Sequence, residues 1–179
     1  LPIFRERIES ELTRDAKYRA EFDQFVRENG LEKKAVYFDH HEAHTLSASL
    51  CSPFEDGLVL TCDGRGDYQS FTVSSFNPDG HKTLYRATSV DSLGFFYGRI
   101  TALLGFTVNR HEGKITGLAA HGDPQKHLPL MEKMITFRDG QLFAQCGPYF
   151  RPFFTNFSDE LQDIIRKAKP EDIAAAAQL

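Results

Sequence analysis

The chain has 179 residues, 41% hydrophobic and 26% charged, with a formal net charge of -4. That balance fits one globular domain and excludes a long basic surface for nucleic acid. Cys51, Cys62 and Cys146 form no C-x-x-C pair, which excludes a disulfide framework and a cysteine-rich zinc site and favours a reducing, cytoplasmic setting.

No apolar run approaches the length needed to span a bilayer, so no membrane partner is expected. Sixteen Phe and no Trp supply the bulk for a core. The chain opens on Leu1 rather than Met, and its last stretch, from Glu171 to Leu179, reads as a helix without a terminating Gly, Asn or Pro. Both ends are therefore expected to be cuts in a longer protein.

Residues 3–29 carry apolar side chains at three- and four-residue steps, among them Leu12, Tyr18, Phe22 and Phe25. This pattern predicts one or two amphipathic helices ending near Asn29-Gly30. Residues 34–39 predict a short strand and residues 40–50 a helix. Three strands follow at 58–62, 68–76 and 81–88, with turns at Asp63 to Asp67 and at Asn77 to Gly80. They predict an antiparallel meander. Asp91-Ser92 can cap a helix that runs to Gly105. Further helices are expected at 115–120, 124–135 and 158–167, with a small hairpin turning at Asp139-Gly140. Residues 147–157 read as irregular and aromatic. The fold class is α/β, an antiparallel meander in a mixed sheet flanked by helices.

Three segments could carry chemistry. In Asp39-His40-His41-Glu42-Ala43-His44, His40 and His44 stand four apart on one helical face, a spacing that lets two imidazoles reach one metal ion. Three of the seven histidines fall within these five positions. The plain alternative is a polar helix start capped by Asp39. The pair cannot complete a site, so a third ligand is required. The turn Asp63-Gly64-Arg65-Gly66-Asp67 could gather backbone N–H groups around a phosphate, with Asp63 and Asp67 near Mg²⁺; otherwise it is an ordinary hairpin turn. Its Arg-Gly-Asp triplet is not read as an adhesion motif, given the cytoplasmic character of the chain. The third segment, from Asn109 to Gly122, brings Arg110 and Lys114 to a helix start rich in small residues, which suits an anion. It does not satisfy the P-loop pattern, and a loop leading to a buried helix is the alternative.

Together these segments resemble the O-carbamoyltransferases of nodulation and antibiotic tailoring. Residues 39–48 resemble the D-H-H-x-x-H-x-x-S-A signature, and Thr61 to Asp67 the T-x-D-G-x-G-D block. Residues 92–97, 104–106 and 112–122 resemble S-L-G-x-F-Y, L-G-F and E-G-K-x-M-G-L-A-x-Y-G, with Thr116 and His121 in place of Met and Tyr. The start of a family helix is matched at Asp172 to Gln178. The resemblance covers residues 35–179, and its motifs are specific as a set.

The resemblance implies part of an actin-like ATPase (ribonuclease H-like) domain. It further implies transfer of a carbamoyl group from carbamoyladenylate, made from carbamoyl phosphate and ATP, to a hydroxyl of a small-molecule or glycan acceptor. It makes His40 and His44 iron ligands, with a later Asp beyond Leu179 as the third. Lys114 and Asp63 are the expected catalytic residues. Gly64, Gly66, Asp67, Glu112, Gly113 and Gly117 are the expected nucleotide-binding residues, with Mg²⁺ a further candidate ion. His111 is a candidate general base, and a second copy of the chain a candidate partner. Residues 1–179 would be a partial transfer domain, lacking the first phosphate-binding strands and the adenylate-forming C-terminal domain, and by itself inactive. Two other readings are a tRNA threonylcarbamoyl-transfer relative and a non-catalytic nucleotide-binding module.

Overall fold

The computed structural model describes residues 2–144 and 157–178. The aromatic stretch expected at 147–157 therefore lies, but for Phe157, outside the described residues, as does Cys146. The chain divides into two compact units, residues 1–38 and 39–179.

The first unit is the helix α1, Pro2–Glu28. It is a single helix where the sequence allowed one or two, and it ends where expected. Gly30 takes a positive φ of 62°, and its N–H donates to the Arg27 carbonyl while Leu31 N–H donates to the Val26 carbonyl. This paired closure satisfies carbonyls that the last turn leaves without partners. The strand expected at residues 34–39 does not form: residues 35–39 belong to no helix or strand. An alternating sequence makes a strand only where a neighbouring strand accepts its ladder. Here Tyr37 instead donates its hydroxyl to Asp23, stacks edge-on to Phe22 and lies under Arg19.

The second unit begins with α2, His40–Leu50, which matches its expected limits. Asp39 caps it, accepting the Glu42 N–H at 3.0 Å. The meander follows as β1 (Gly57–Gly66), β2 (Gln69–Asn77) and β3 (Gly80–Thr88), in that spatial order and antiparallel. Every strand pair among the described residues is antiparallel, so the mixed pairing expected from sequence is not seen in them. The first turn also differs. Asp63 to Gly66 continue β1, and the reversal falls on Asp67 and Tyr68, both at positive φ (46° and 63°). The register shifts between Cys62 and Gly66, so this stretch bulges instead of turning.

The helices among the described residues that follow form a layer: α3 (Leu93–Leu103), α4 (Glu112–Ala119), α5 (Leu128–Met134), α6 (Asp159–Lys167) and α7 (Pro170–Ala176). The single helix expected at 124–135 is a 3-10 turn over Pro124–Lys126 followed by α5. The hairpin β4 (Ile135–Arg138) and β5 (Gln141–Ala144) turns at Asp139-Gly140 as expected. Ser92 and Ser158 cap α3 and α6 through their hydroxyls. The core lies among these helices, where Ile100, Ile115, Met134, Leu161 and Ile173 are essentially inaccessible. Burial of each such side chain contributes about 1.5–3 kcal/mol. Asp172 anchors α7 by accepting from Lys126 Nζ and the Asp123 N–H, both at 2.8 Å. No helix among the described residues is long and apolar enough to cross a membrane.

A candidate metal centre between α2 and β1

Strand alternation decides which side chains of β1 meet α2. Val59 and Thr61 are buried, while Leu58 and Leu60 on the other face are 61% and 63% exposed. Asp63, two residues beyond Thr61, lies on the same side as Thr61. Above it, α2 presents His40 and His44 one helical turn apart. The three groups converge. His40 Nε2 lies 2.7 Å from Asp63 Oδ2 and 3.1 Å from His44 Nε2, and His44 Nε2 lies 3.9 Å from the same carboxylate oxygen. All three ligand atoms fall within 4.8 Å of one another.

This triangle fits a first-row divalent ion. Bonds of about 2.0–2.2 Å from imidazole nitrogen and carboxylate oxygen set neighbouring ligand atoms roughly 3 Å apart, and the observed separations bracket that value. Two imidazoles and one carboxylate on one face form the donor set of non-haem Fe(II) sites, with positions left open for substrate. Electrostatics agree. Burial pushes the Asp63 carboxyl up, but the His40 hydrogen bond, the Gly64 N–H and the neighbouring imidazoles outweigh it and hold the group below its ordinary value. It therefore stays a carboxylate, as a ligand must.

The backbone around the triangle is fitted to it. Gly66 stands directly against the His40 ring, and a Cβ there would overlap the ring atoms. Asp67 Oδ2 accepts the His40 backbone N–H at 2.7 Å. Asp39, besides capping α2, accepts from Gln69 Nε2 at 3.1 Å. On the far side of β1, Gly94 of α3 lies so close that its Cβ would come 2.8 Å from Gly64 N.

The structure thus brings together His40, His44, Asp63, Gly66 and Asp67 from the sequence-predicted set. Glu112, Gly113, Lys114 and Gly117 stand on α4, in the helical layer, where α4 packs against α7 and α3. Lys114 is exposed, and open space surrounds the Cα positions of Gly113 and Gly117. Glu112 accepts the Asn109 N–H at 2.6 Å and so ties the loop before α4. His111 Nδ1 accepts the Thr107 N–H at 3.2 Å, within the loop before α4. Sequence reasoning sought the third ligand beyond Leu179 and gave Asp63 a catalytic role; Asp63 supplies a carboxylate within the chain. The missed signal was its position on a strand, not a turn, two residues after a buried threonine.

A larger cavity of about 680 Å³, mostly apolar, opens elsewhere in the second unit, lined by Cys62, Phe71, Tyr97, Met131 and Phe137 among others. It contains none of the three converging groups.

A model of the family described as "Carbamoyltransferase N-terminus" matches residues 9–175. The chain belongs to this family. Among curated relatives, it is 38% identical over 94 residues to the uncharacterized protein MJ1051 of Methanocaldococcus jannaschii, a match that covers 52% of this chain and 18% of that one. To nodulation protein NolNO of Sinorhizobium fredii it is 36% identical over 103 residues, or 58% of this chain and 15% of that one. To nodulation protein NolO of Bradyrhizobium diazoefficiens it is 34% identical over 101 residues, or 56% and 18%. The chain spans less than one fifth of the length of these relatives.

Proposed function

We propose that this carbamoyltransferase-family chain forms the metal-binding part of an ATP-dependent enzyme of the cytoplasm. The whole protein would move a carbamoyl group from carbamoyladenylate to a hydroxyl of a small-molecule or glycan acceptor, within an actin-like domain that this chain contributes in part. The observation that carries the reading is the convergence of His40, His44 and Asp63. It is joined by family membership and by similarity to two nodulation proteins.

In this reading His40, His44 and Asp63 hold iron. When bound, the ion supplies Lewis-acid polarisation of a carbonyl or phosphoryl oxygen. Gly66 leaves room for the His40 ring, and Asp67 fixes the backbone that carries it. The first turn of α4 forms the phosphate-facing surface, with Gly113 and Gly117 open to a ligand and Lys114 offsetting negative charge on the departing AMP. Glu112 keeps the preceding loop in shape. Carbamoyl phosphate and ATP are consumed to make the adenylate elsewhere in the whole protein, so the isolated chain binds metal but does not turn over.

Anaerobic Fe²⁺ or Co²⁺ titration of the chain tests this, alongside His40→Ala, His44→Ala and Asp63→Asn. Stoichiometric binding that each substitution weakens supports the site. Binding that survives loss of both histidines would falsify it and leave the nucleotide-binding module as the better reading.

A further inference from the structure

His41 lies between the two candidate ligands in sequence yet takes no part in the triangle. It is only 1% exposed. Its Nδ1 lies 2.7 Å from the Thr61 hydroxyl, and the Thr61 hydroxyl lies 2.7 Å from that of Thr72 on β2. Thr61 and Thr72 are cross-strand partners, both buried. A hydrogen-bonded line thus runs from the first turn of α2 through β1 into β2.

We propose that His41 is a positioning residue for the metal centre, fixing the rotation of α2 on the sheet so that His40 and His44 face Asp63. This rests on the metal reading above. The geometry is that of two rungs. Consecutive helix residues, His40 and His41, meet alternate strand residues, Asp63 and Thr61, on one face of β1. The bond from Asp67 to the His40 N–H and that from Gln69 to Asp39 hold the helix start in place. Both act on the cap and the first backbone N–H. A side-chain bond on the sheet-facing side, one residue from His40, resists rotation about the axis directly. A turn of α2 by a fraction of the roughly 100° per residue would swing His40 and His44 off the carboxylate together.

The other ring nitrogen argues against a purely stabilising role. His41 Nε2 is buried without a protein partner, beside a small polar cavity that Gln69 and Arg86 also line. A buried polar atom left without a protein bond costs stability unless water meets it. A packing residue at this position needs no second nitrogen, whereas a residue that must reach Thr61 from the helix needs Nδ1.

The test is Co²⁺ affinity of the 179-residue chain, read by visible absorption, with circular dichroism and melting temperature followed in parallel. His41→Phe keeps the ring and loses the bond. Thr61→Val keeps the shape of the partner and loses the bond from the other side. His41→Asn places an amide near the position of Nδ1. The expected result is that His41→Phe and Thr61→Val each weaken Co²⁺ binding about tenfold and alter the absorption band, while His41→Asn restores both. A folded Thr61→Val chain with unchanged affinity and spectrum overturns the proposal, and this variant decides the matter if His41→Phe does not fold. A wild-type chain that takes up no Co²⁺ overturns the metal reading itself, and this one with it.

Discussion

The sheet side and the helical layer of the second unit are held by different forces. Between α2 and the meander the contacts are polar: His41 to Thr61 to Thr72, Asp67 to the His40 N–H, and Asp39 to Gln69. Among α3, α4, α5 and α7 the buried contacts are chiefly apolar, with Ile100, Ile115, Met134 and Ile173 closed off from solvent. Apolar packing is nondirectional and gives stability in proportion to area. Hydrogen bonds contribute less net energy but fix angle and register. The difference teaches that the helical layer keeps this unit folded while the sheet side sets where His40, His44 and Asp63 meet.

Four substitutions can break or sharpen that contrast. The largest effect is expected in the core: Ile115→Ala should cost about 2–5 kcal/mol in denaturant unfolding, and wherever the chain stays folded its Co²⁺ affinity should hold. Next, Gly66→Ala must push the His40 ring aside. Metal affinity should fall by about 10- to 100-fold, with a smaller change in melting temperature than Ile115→Ala produces. An unchanged affinity would remove Gly66 from the account of the site. Ser92→Ala, which deletes the α3 cap, should cost about 1 kcal/mol, again read by unfolding.

The smallest effect is tied to pH. The Lys126 hydrogen bond, then the Asp123 N–H, hold the Asp172 carboxyl below its ordinary value of 3.8 despite burial. A carboxyl lowered on folding contributes stability that is present above its unfolded value and lost as pH falls through its folded one. Melting temperature should therefore drop below about pH 3.8, and Asp172→Asn should flatten that part of the profile. A variant whose acid limb matches wild type would show that other carboxylates govern it.

Much of the architecture was legible because local signals agreed with tertiary ones. Asp39, Ser92 and Ser158 are capping residues by type and cap helices in fact. The Asp139-Gly140 hairpin follows from turn chemistry. The first β-turn was misplaced because Asp and Gly dominate Asp63 to Asp67, and composition suggests a reversal there. The chain turns one step later, through an aromatic residue at positive φ, so that Gly66 stays in the strand beside His40 and Asp63 faces α2. The strand expected at 34–39 failed for want of a partner, which no local pattern reveals. The histidine pair was visible as helical spacing. The carboxylate that joins it was not, because that contact depends on which face of β1 looks at α2, and a one-residue slip in the pairing register reverses the face.

The close approach of α3 to β1 has a mechanical consequence. At Gly94 the helix backbone rests on the backbone of Asp63 and Gly64 with no space for a single added carbon. There is no side chain between them to bend or change rotamer, so the contact has almost no compliance. The start of α3 therefore sets a floor under the strand: Asp63 is backed by main chain, which cannot give way, and not by a side chain that could.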